Sequence, residues 1–341
     1  MERSDPAVLT AVCSNLRLAG GALQEHKKDG AKSILGVPVQ VVAGISYCIA
    51  SASMVLLNKA TLSSFGFHAP TSLLFFQCMT CVAMVHVCSL VGAGRIEPLT
   101  RKIARVWFPV NLIFVGMIWT SFFSLKRLGV PMATVLKNLT NLFTILGDMT
   151  FYGKSYSAGV WATLGLMALS AICGAATDLA FDAEGYVWQL LNCVFAAAYS
   201  LYLRSVMDKV GALTTSKTKL NEISMVYYNN LMSLPLIVLL MCYYGEFQTL
   251  PLEPALHNPS FLCAVVGSGI LAFLISFASL WFLSSTTATV YSLVGSLNKI
   301  PVALIGLVAF NTPWSLQNVS SVLVGLCAGA VFAKAKSAGA K

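Results

Sequence analysis

The chain has 341 residues, 57% of them hydrophobic and only 10% charged, with a formal net charge of +9. Soluble domains carry roughly 25% charged residues, so this composition excludes a soluble globular protein. It implies a polytopic membrane protein with little mass outside the bilayer.

Residues 1–36 carry mixed charge, including Arg17, Glu25, Lys27, Lys28, Asp29 and Lys32, with no apolar core ahead of the first span. They read as a disordered cytosolic tail without a cleavable signal. A span needs ~20 mostly apolar residues. Ten stretches qualify: Val37–Leu57, Pro70–Val91, Val106–Leu125, Val130–Tyr152, Ala158–Ala176, Tyr186–Met207, Ile223–Tyr244, Phe261–Leu283, Thr287–Phe310 and Leu316–Ala333. The expected fold is an all-α membrane protein of about ten transmembrane helices. Residues 37–177 form a first five-helix half, 178–333 a second, and 334–341 a basic cytosolic tail.

Lysine and arginine in the loops set the orientation. With both termini on one side, that side holds seventeen of them, including Lys27, Lys28, Arg101, Lys102, Arg105, Lys154, Lys217, Lys219 and Lys334. The other side holds three, Lys59, Lys126 and Arg127, together with the acidic loop residues Asp178, Asp182, Glu184, Glu246 and Glu253. Both termini are therefore expected in the cytosol. Lys126 and Arg127 are misfits that the sequence does not account for. The acids Asp178, Asp182 and Glu184 read as a solvated loop.

Two lysines lie in the middle of apolar stretches, each beside an asparagine: Lys137 with Asn138, and Lys299 with Asn298. A charge at bilayer depth costs ~2.5–3.5 kcal/mol on insertion scales, so it usually faces a cavity or a partner and marks a pathway. Only one carboxylate, Asp148, falls within a span. Two buried cations with so little acid nearby point to an anionic cargo. Ala133-Thr134-Val135 precedes Lys137 as Ala288-Thr289-Val290 precedes Lys299, five spans apart. Five is odd, so the two halves would be inverted repeats, a plan in which the binding site lies at the bilayer midplane.

The seventh span contains Tyr227-Tyr228-Asn229-Asn230, and the ninth contains Gly295-Ser296-Leu297-Asn298-Lys299. Primary amides in lipid must be satisfied. Asn229 and Asn230 either line a cavity, where an amide matches the edge of a nucleobase, or glue helices together. Tyr291, Gly295 and Lys299 fall four apart on one helical stripe, which suits a ligand with a polar body and a phosphate. The alternative is a packing stripe with Lys299 reaching an interface. Gly325 and Gly329 form a GxxxG in the tenth span, which serves either a homodimer or packing inside the chain. The cysteines, many in apolar runs (Cys78, Cys81, Cys88, Cys193), have no CxxC spacing, and the four histidines are scattered. No disulfide framework, metal site or cofactor is expected.

The YYNN and GSLNK stretches resemble the FYNN and GALNK signatures of Golgi GDP-mannose transporters, nucleotide-sugar transporters of the drug/metabolite transporter superfamily. Lys137–Thr140, Leu57–Lys59 and Ser284–Thr287 extend the resemblance. Tyr227 and Ser296 depart from it by adding hydroxyls. The resemblance implies that Asn229, Asn230 and Ser276 read guanine. It further implies that Tyr47, Tyr291, Gly295 and Ser296 border the sugar and diphosphate, with Lys299 near phosphate and Asn298 supporting the backbone. Lys137, Asn138 and Tyr228 would serve gating or local structure. The implied activity is exchange of cytosolic GDP-sugar for lumenal GMP in the Golgi membrane, with lipids as the surrounding partner and no nucleic acid. A carrier of another nucleotide sugar (GDP-fucose or a UDP-sugar) and a phosphorylated-metabolite exchanger of the triose-phosphate type are the alternatives. A membrane enzyme, which would place acidic or histidine residues at a membrane face, is disfavoured because the one such cluster, Asp178, Asp182 and Glu184, reads as a solvated loop.

Overall fold

The computed structural model describes residues 33–34, 37–92, 95–214, 220–286, 288–310 and 316–339. Ser33–Ile34 (β1) pairs antiparallel with Val37–Pro38 (β2), just ahead of the first helix. The helices are α1 (Val39–Lys59), α2 (Pro70–Leu90), α3 (Arg101–Arg127), α4 (Val130–Leu136), α5 (Leu139–Tyr152) and α6 (Ala158–Ala176). They continue with α7 (Ala183–Gly211), α8 (Glu222–Tyr243), the short α9 (Glu246–Thr249), α10 (Pro259–Ser285), α11 (Ala288–Ala309) and α12 (Leu316–Gly339). Among the described residues seven of these are long and apolar enough to cross a membrane: α1, α2, α3, α6, α7, α8 and α10. The other expected spans are helical too. The fourth is divided into α4 and α5, and the ninth and tenth are α11 and α12. The last helix runs on to Gly339, past the expected end of its span at Ala333.

The helix boundaries follow the local chemistry. Thr100 caps α3 by accepting from the Ile103 N–H, and Asn221 caps α8 through Ser224. Pro70, Pro131 and Pro259 stand in the first turn of their helices, where the missing N–H costs nothing. Gly153, at φ 62°, ends α5 in the left-handed conformation that a side chain would strain.

The helix pairings close a ring. α3 packs on α7, α7 on α5, α4 on α11, α11 on α1, α1 on α10, α10 on α2, α2 on α8, and α8 back on α3. α6 and α12 pack on each other outside the ring, against α4–α5 and α11. The GxxxG of α12 is used inside the chain: a Cβ on Gly325 would collide with Ser170 of α6, and one on Gly329 would sit 3.2 Å from Asn138.

At one end of the ring, α1 meets α3, although three spans lie between them on each side around the circle, counting α4–α5 as one. The Lys59 ammonium donates to the carbonyls of Leu125 and Leu128, each at 2.8 Å, where α3 ends. These carbonyls have no intrahelical partner, and a cation there also complements the helix dipole. A plug of Leu62, Phe67, Leu73, Phe122, Ile237 and Phe261 fills the same end.

This end also collects the acids. Arg127 pairs with Asp182 at 3.1 Å and Glu184 at 2.5 Å, which accounts for one cation that the loop pattern left stranded. The Gly185 N–H and, against some burial, the Arg127 guanidinium hold the Asp182 carboxyl below the usual range. Tyr186 donates to Asp178 at 2.8 Å. Glu246, almost wholly buried, reaches across to the first turn of α2, which Ala69 leaves without a side-chain cap. It accepts from the Thr71 N–H at 3.0 Å and from the Ser72 N–H at 2.6 Å. Glu253 is likewise buried and accepts from the His68 N–H at 3.2 Å.

Candidate functional site

The fourth span divides at its lysine. Between α4 and α5 the backbone stays right-handed but tightens: the Asn138 N–H donates to Val135 O at 2.9 Å and the Thr140 N–H to Lys137 O at 3.2 Å. Such a 3₁₀ turn in mid-helix releases a carbonyl from the α-helical ladder. Here the released Leu136 carbonyl accepts from the Cys193 thiol of α7.

The two lysines stand differently at this turn. Lys299 of α11 donates to Asn138 Oδ1 at 2.7 Å, and Asn138 Nδ2 donates to the Gly325 carbonyl of α12 at 2.9 Å. The Lys137 ammonium makes no hydrogen bond or ion pair among the described residues. The side chain is exposed, and its charge reaches Cys193 of α7 and Lys299 of α11, two neighbours of this turn around the ring. The two ammonium groups are close enough to feel each other's charge. Asp148 neutralises neither, because it is engaged by Lys154 at 3.1 Å and by the Tyr156 hydroxyl at 2.6 Å. The ring therefore carries two neighbouring cations without a carboxylate partner among the described residues.

Around the ring from this pair, Tyr47 of α1 approaches α11. A Cβ on Gly295 would sit 3.3 Å from the Tyr47 hydroxyl, so the bare backbone at Gly295 lets the phenol lie against it. The Tyr47 ring stacks on Phe282 with centroids 5.9 Å apart. Ser296 and Asn298 are buried on α11. The backbone of Tyr291 is helical, and its side chain lies outside the description. Ser276 of α10 donates to the Ala272 carbonyl one turn back.

The asparagine pair lies on α8. Asn229 joins three helices: its Oδ1 accepts from the Trp107 indole N–H of α3 at 2.9 Å, and its Nδ2 donates to the Tyr199 hydroxyl of α7 at 2.8 Å. Its backbone carbonyl accepts from Asn111 Nδ2 at 2.8 Å and from the Ser233 hydroxyl. Asn230 donates to the Val226 carbonyl at 2.8 Å, and its Oδ1 has no partner among the described residues. Tyr228 is fully buried, stacks edge-on with Trp107 and donates to the Glu97 carbonyl at 3.0 Å. It braces the loop before α3 against α8.

The structure thus gathers Lys137, Asn138 and Lys299 into one cluster and Tyr47 with Gly295 into a second on the same helix. The asparagine pair stands on the α3–α8–α7 wall. Sequence reasoning passed over Trp107, Asn111 and Tyr199. Asn111 carried the same signal as Asn229, a primary amide in an apolar span, and Trp107 and Tyr199 carried none.

The chain matches the model of the Triose-phosphate Transporter family over residues 39–332. The chain belongs to this family. It is 51% identical over 296 residues to the GDP-mannose transporter GONST1 of Arabidopsis thaliana, covering 87% of this chain and 89% of that protein. It is 47% identical to GONST2 of the same plant, over 87% of this chain and 79% of that one. Identity to the GDP-mannose transporter of Kluyveromyces lactis is 33%, over 95% of this chain and 96% of that protein. One solved crystal structure superposes with a TM-score of 0.54 at 18% identity, covering 86% of this chain and 95% of that chain, and shares the fold. Membership of a transporter family agrees with an all-α chain whose polar residues turn inward.

Proposed function

We propose that this protein is a Golgi GDP-sugar transporter, with GDP-mannose as its foremost cargo, that exchanges cytosolic GDP-sugar for lumenal GMP. The observation that carries the reading is the 51% identity to a GDP-mannose transporter across nearly the whole membrane region. In this reading each part has a role. Asn229, Asn230 and Ser276 recognise guanine. Tyr47, Tyr291, Gly295 and Ser296 border the sugar, with Asn298 supporting the helix. Lys137 and Lys299 take the phosphates. GMP and a GDP-sugar each carry about two negative charges near neutral pH, given a second phosphate pKa of ~6, so one fixed pair of cations serves both.

The mechanism is alternating access between two inverted five-helix repeats, 37–177 and 178–333. Support comes from the helix pairings. Counting α4–α5 as one span and leaving out the short α9, most pairs have a counterpart five spans on: α3 on α7 matches α10 on α1, and α2 on α10 matches α8 on α3. Polar contacts follow the same relation. In the first repeat, Gln77 of α2 donates to Asn58 of α1 at 2.9 Å and to Ser268 of α10 at 3.1 Å. In the second, Asn229 of α8 joins α7 and α3. Both termini are assigned to the cytosol, with the acid-rich end lumenal. The contact of α1 with α3 then closes the ring toward the lumen. Because the GxxxG packs within the chain, a homodimer would need another face.

The test is radiolabelled GMP uptake into proteoliposomes preloaded with nucleotides. Uptake that requires internal GMP, and that GDP-mannose blocks while UDP-sugars do not, is the expected result. Absence of GMP exchange, or equal blocking by UDP-sugars, overturns the reading and favours a phosphorylated-metabolite exchanger.

A further inference from the structure

A primary amide keeps nearly the same shape when turned by 180°, but the turn exchanges donor for acceptor. An asparagine can therefore discriminate bases only if its neighbours hold it one way round. At Asn229 the two neighbours are not equivalent. The Trp107 indole N–H can only donate, and it points at the atom assigned as Oδ1, 2.9 Å away. The Tyr199 hydroxyl on the other side both donates and accepts, so it tolerates either orientation. Trp107 is wholly buried and held edge-on by Tyr228, with ring centroids 5.8 Å apart, so it does not turn away easily. The adjacent Asn230 is oriented by the same logic: its Nδ2 faces the Val226 carbonyl, which can only accept, and its Oδ1 is left as an acceptor.

We infer that Trp107 is a positioning residue that sets base choice by fixing the direction of the Asn229 amide. The inference rests on the guanine reading of Asn229 and Asn230. Guanine offers an O6 acceptor beside N1–H and N2–H₂ donors, whereas adenine offers a 6-amino donor beside an N1 acceptor. A freely turning Asn229 accommodates both patterns. Held by Trp107, it keeps its donor edge on the Tyr199 side and presents one pattern only.

The test compares GMP and AMP as competitors of labelled GMP exchange by the full-length protein in proteoliposomes, for wild type, Trp107→Phe and Tyr199→Phe. Trp107→Phe removes the N–H and is expected to strengthen AMP relative to GMP by about tenfold, the scale of one lost hydrogen bond to a misoriented group. Tyr199→Phe is expected to leave that ratio within about twofold, because the hydroxyl imposes no direction. A Trp107→Phe protein that exchanges GMP with the wild-type AMP ratio overturns the inference and leaves the transport reading standing. A wild type that does not prefer GMP to AMP overturns the guanine reading itself. Should Trp107→Phe fail to fold, β-(3-benzothienyl)alanine at position 107 keeps the indole shape without the N–H and reads the same ratio.

Discussion

Lys299 donates to the side-chain oxygen of Asn138 at 2.7 Å, across two spans that are 161 positions apart in sequence. Asn138 in turn donates to the Gly325 carbonyl, so one amide ties α11, the turn between α4 and α5, and α12. Among the described residues the tether leaves Lys137 as the ammonium without a fixed partner. Of two lysines that look equivalent in sequence, one is held in place and the other is available.

Replacing Asn138 by Asp is the sharpest probe of that arrangement. The new carboxylate would lie beside Lys299 and pair with it, and the pair would no longer attract an anion. We expect GMP exchange to be lost while the protein elutes as a folded species. Asn138→Ala instead frees Lys299 and should keep measurable exchange; both variants lose the donor to the Gly325 carbonyl, so both should be less stable than wild type. Uptake assays beside thermal unfolding in detergent separate the two effects. Normal exchange in Asn138→Asp would remove Lys299 from the anion site.

Lys137→Gln removes the free cation but keeps a polar chain of similar length. A charge-assisted hydrogen bond contributes about 1.5–3 kcal/mol, which corresponds to a loss of roughly tenfold to a hundredfold in apparent affinity for GMP. Stability should hardly fall, because the Lys137 ammonium has no partner to strand among the described residues. A rise in the half-saturating GMP concentration with an unchanged melting temperature is the expected pattern. A melting-temperature loss without a transport defect would make Lys137 structural.

Lys59 behaves in the opposite way. Its ammonium caps the last carbonyls of α3 and joins α1 to α3 at the closed end of the ring. Lys59→Met keeps the aliphatic stem and removes the donors, leaving two buried carbonyls unpaired at a cost of about 2 kcal/mol or more. The midpoint of thermal unfolding should drop. The closed end should also open more readily, read as faster labelling of a cysteine placed at Leu62 by a membrane-impermeant thiol reagent added on the side of the acidic loops. Unchanged labelling and midpoint would show that the bond is dispensable.

Much of the site was legible because lipid makes polar residues conspicuous. Lys137, Lys299, Asn229 and Asn230 stand out in apolar stretches, and Pro70, Pro131 and Pro259 stand in the first turns of their helices as their chemistry requires. The turn at Lys137 was not legible. The apolar run Val130–Tyr152 is continuous, and a local tightening of a right-handed backbone leaves no mark in hydropathy. Trp107 and Tyr199 were invisible for a related reason, since aromatic residues in a span read as ordinary packing. Arg127 looked like a violation of loop charge because its partners Asp182 and Glu184 lie 55 and 57 positions away, and only the folded chain brings them together.

Asp182 gives that pairing a pH signature. Its carboxyl is held below the usual range by the Gly185 N–H and by Arg127. A depressed folded-state pKa means that the stabilisation is complete above the unfolded value of ~3.9 and is lost as pH falls through the folded value. The partners are partly exposed, so the effect is small. Melting temperatures of wild type and Asp182→Asn should differ near neutral pH and converge as acid protonates the wild-type carboxyl. A constant gap down to strongly acidic pH would mean that the cap acts through its oxygen alone.

Glu246 makes the strongest case that a loop acid in this protein is structural. It is buried, and its two oxygens accept from the N–H groups of Thr71 and Ser72 and from the Ser72 hydroxyl at 2.7 Å. α2 starts after Ala69 with no local side-chain cap, so a carboxylate from 174 positions away supplies the acceptors and the negative charge that a helix N-terminus favours. Glu246→Gln keeps the shape but turns an amino group toward an N–H donor. It should cost about 1–3 kcal/mol and lower the unfolding midpoint, with the GMP-to-AMP preference unchanged because α8 and α3 keep their contacts. Glu246→Asp keeps the charge on a shorter arm and should cost less than Glu246→Gln. A larger loss in Glu246→Asp would mean that the reach of the side chain, rather than its charge, holds the end of α2.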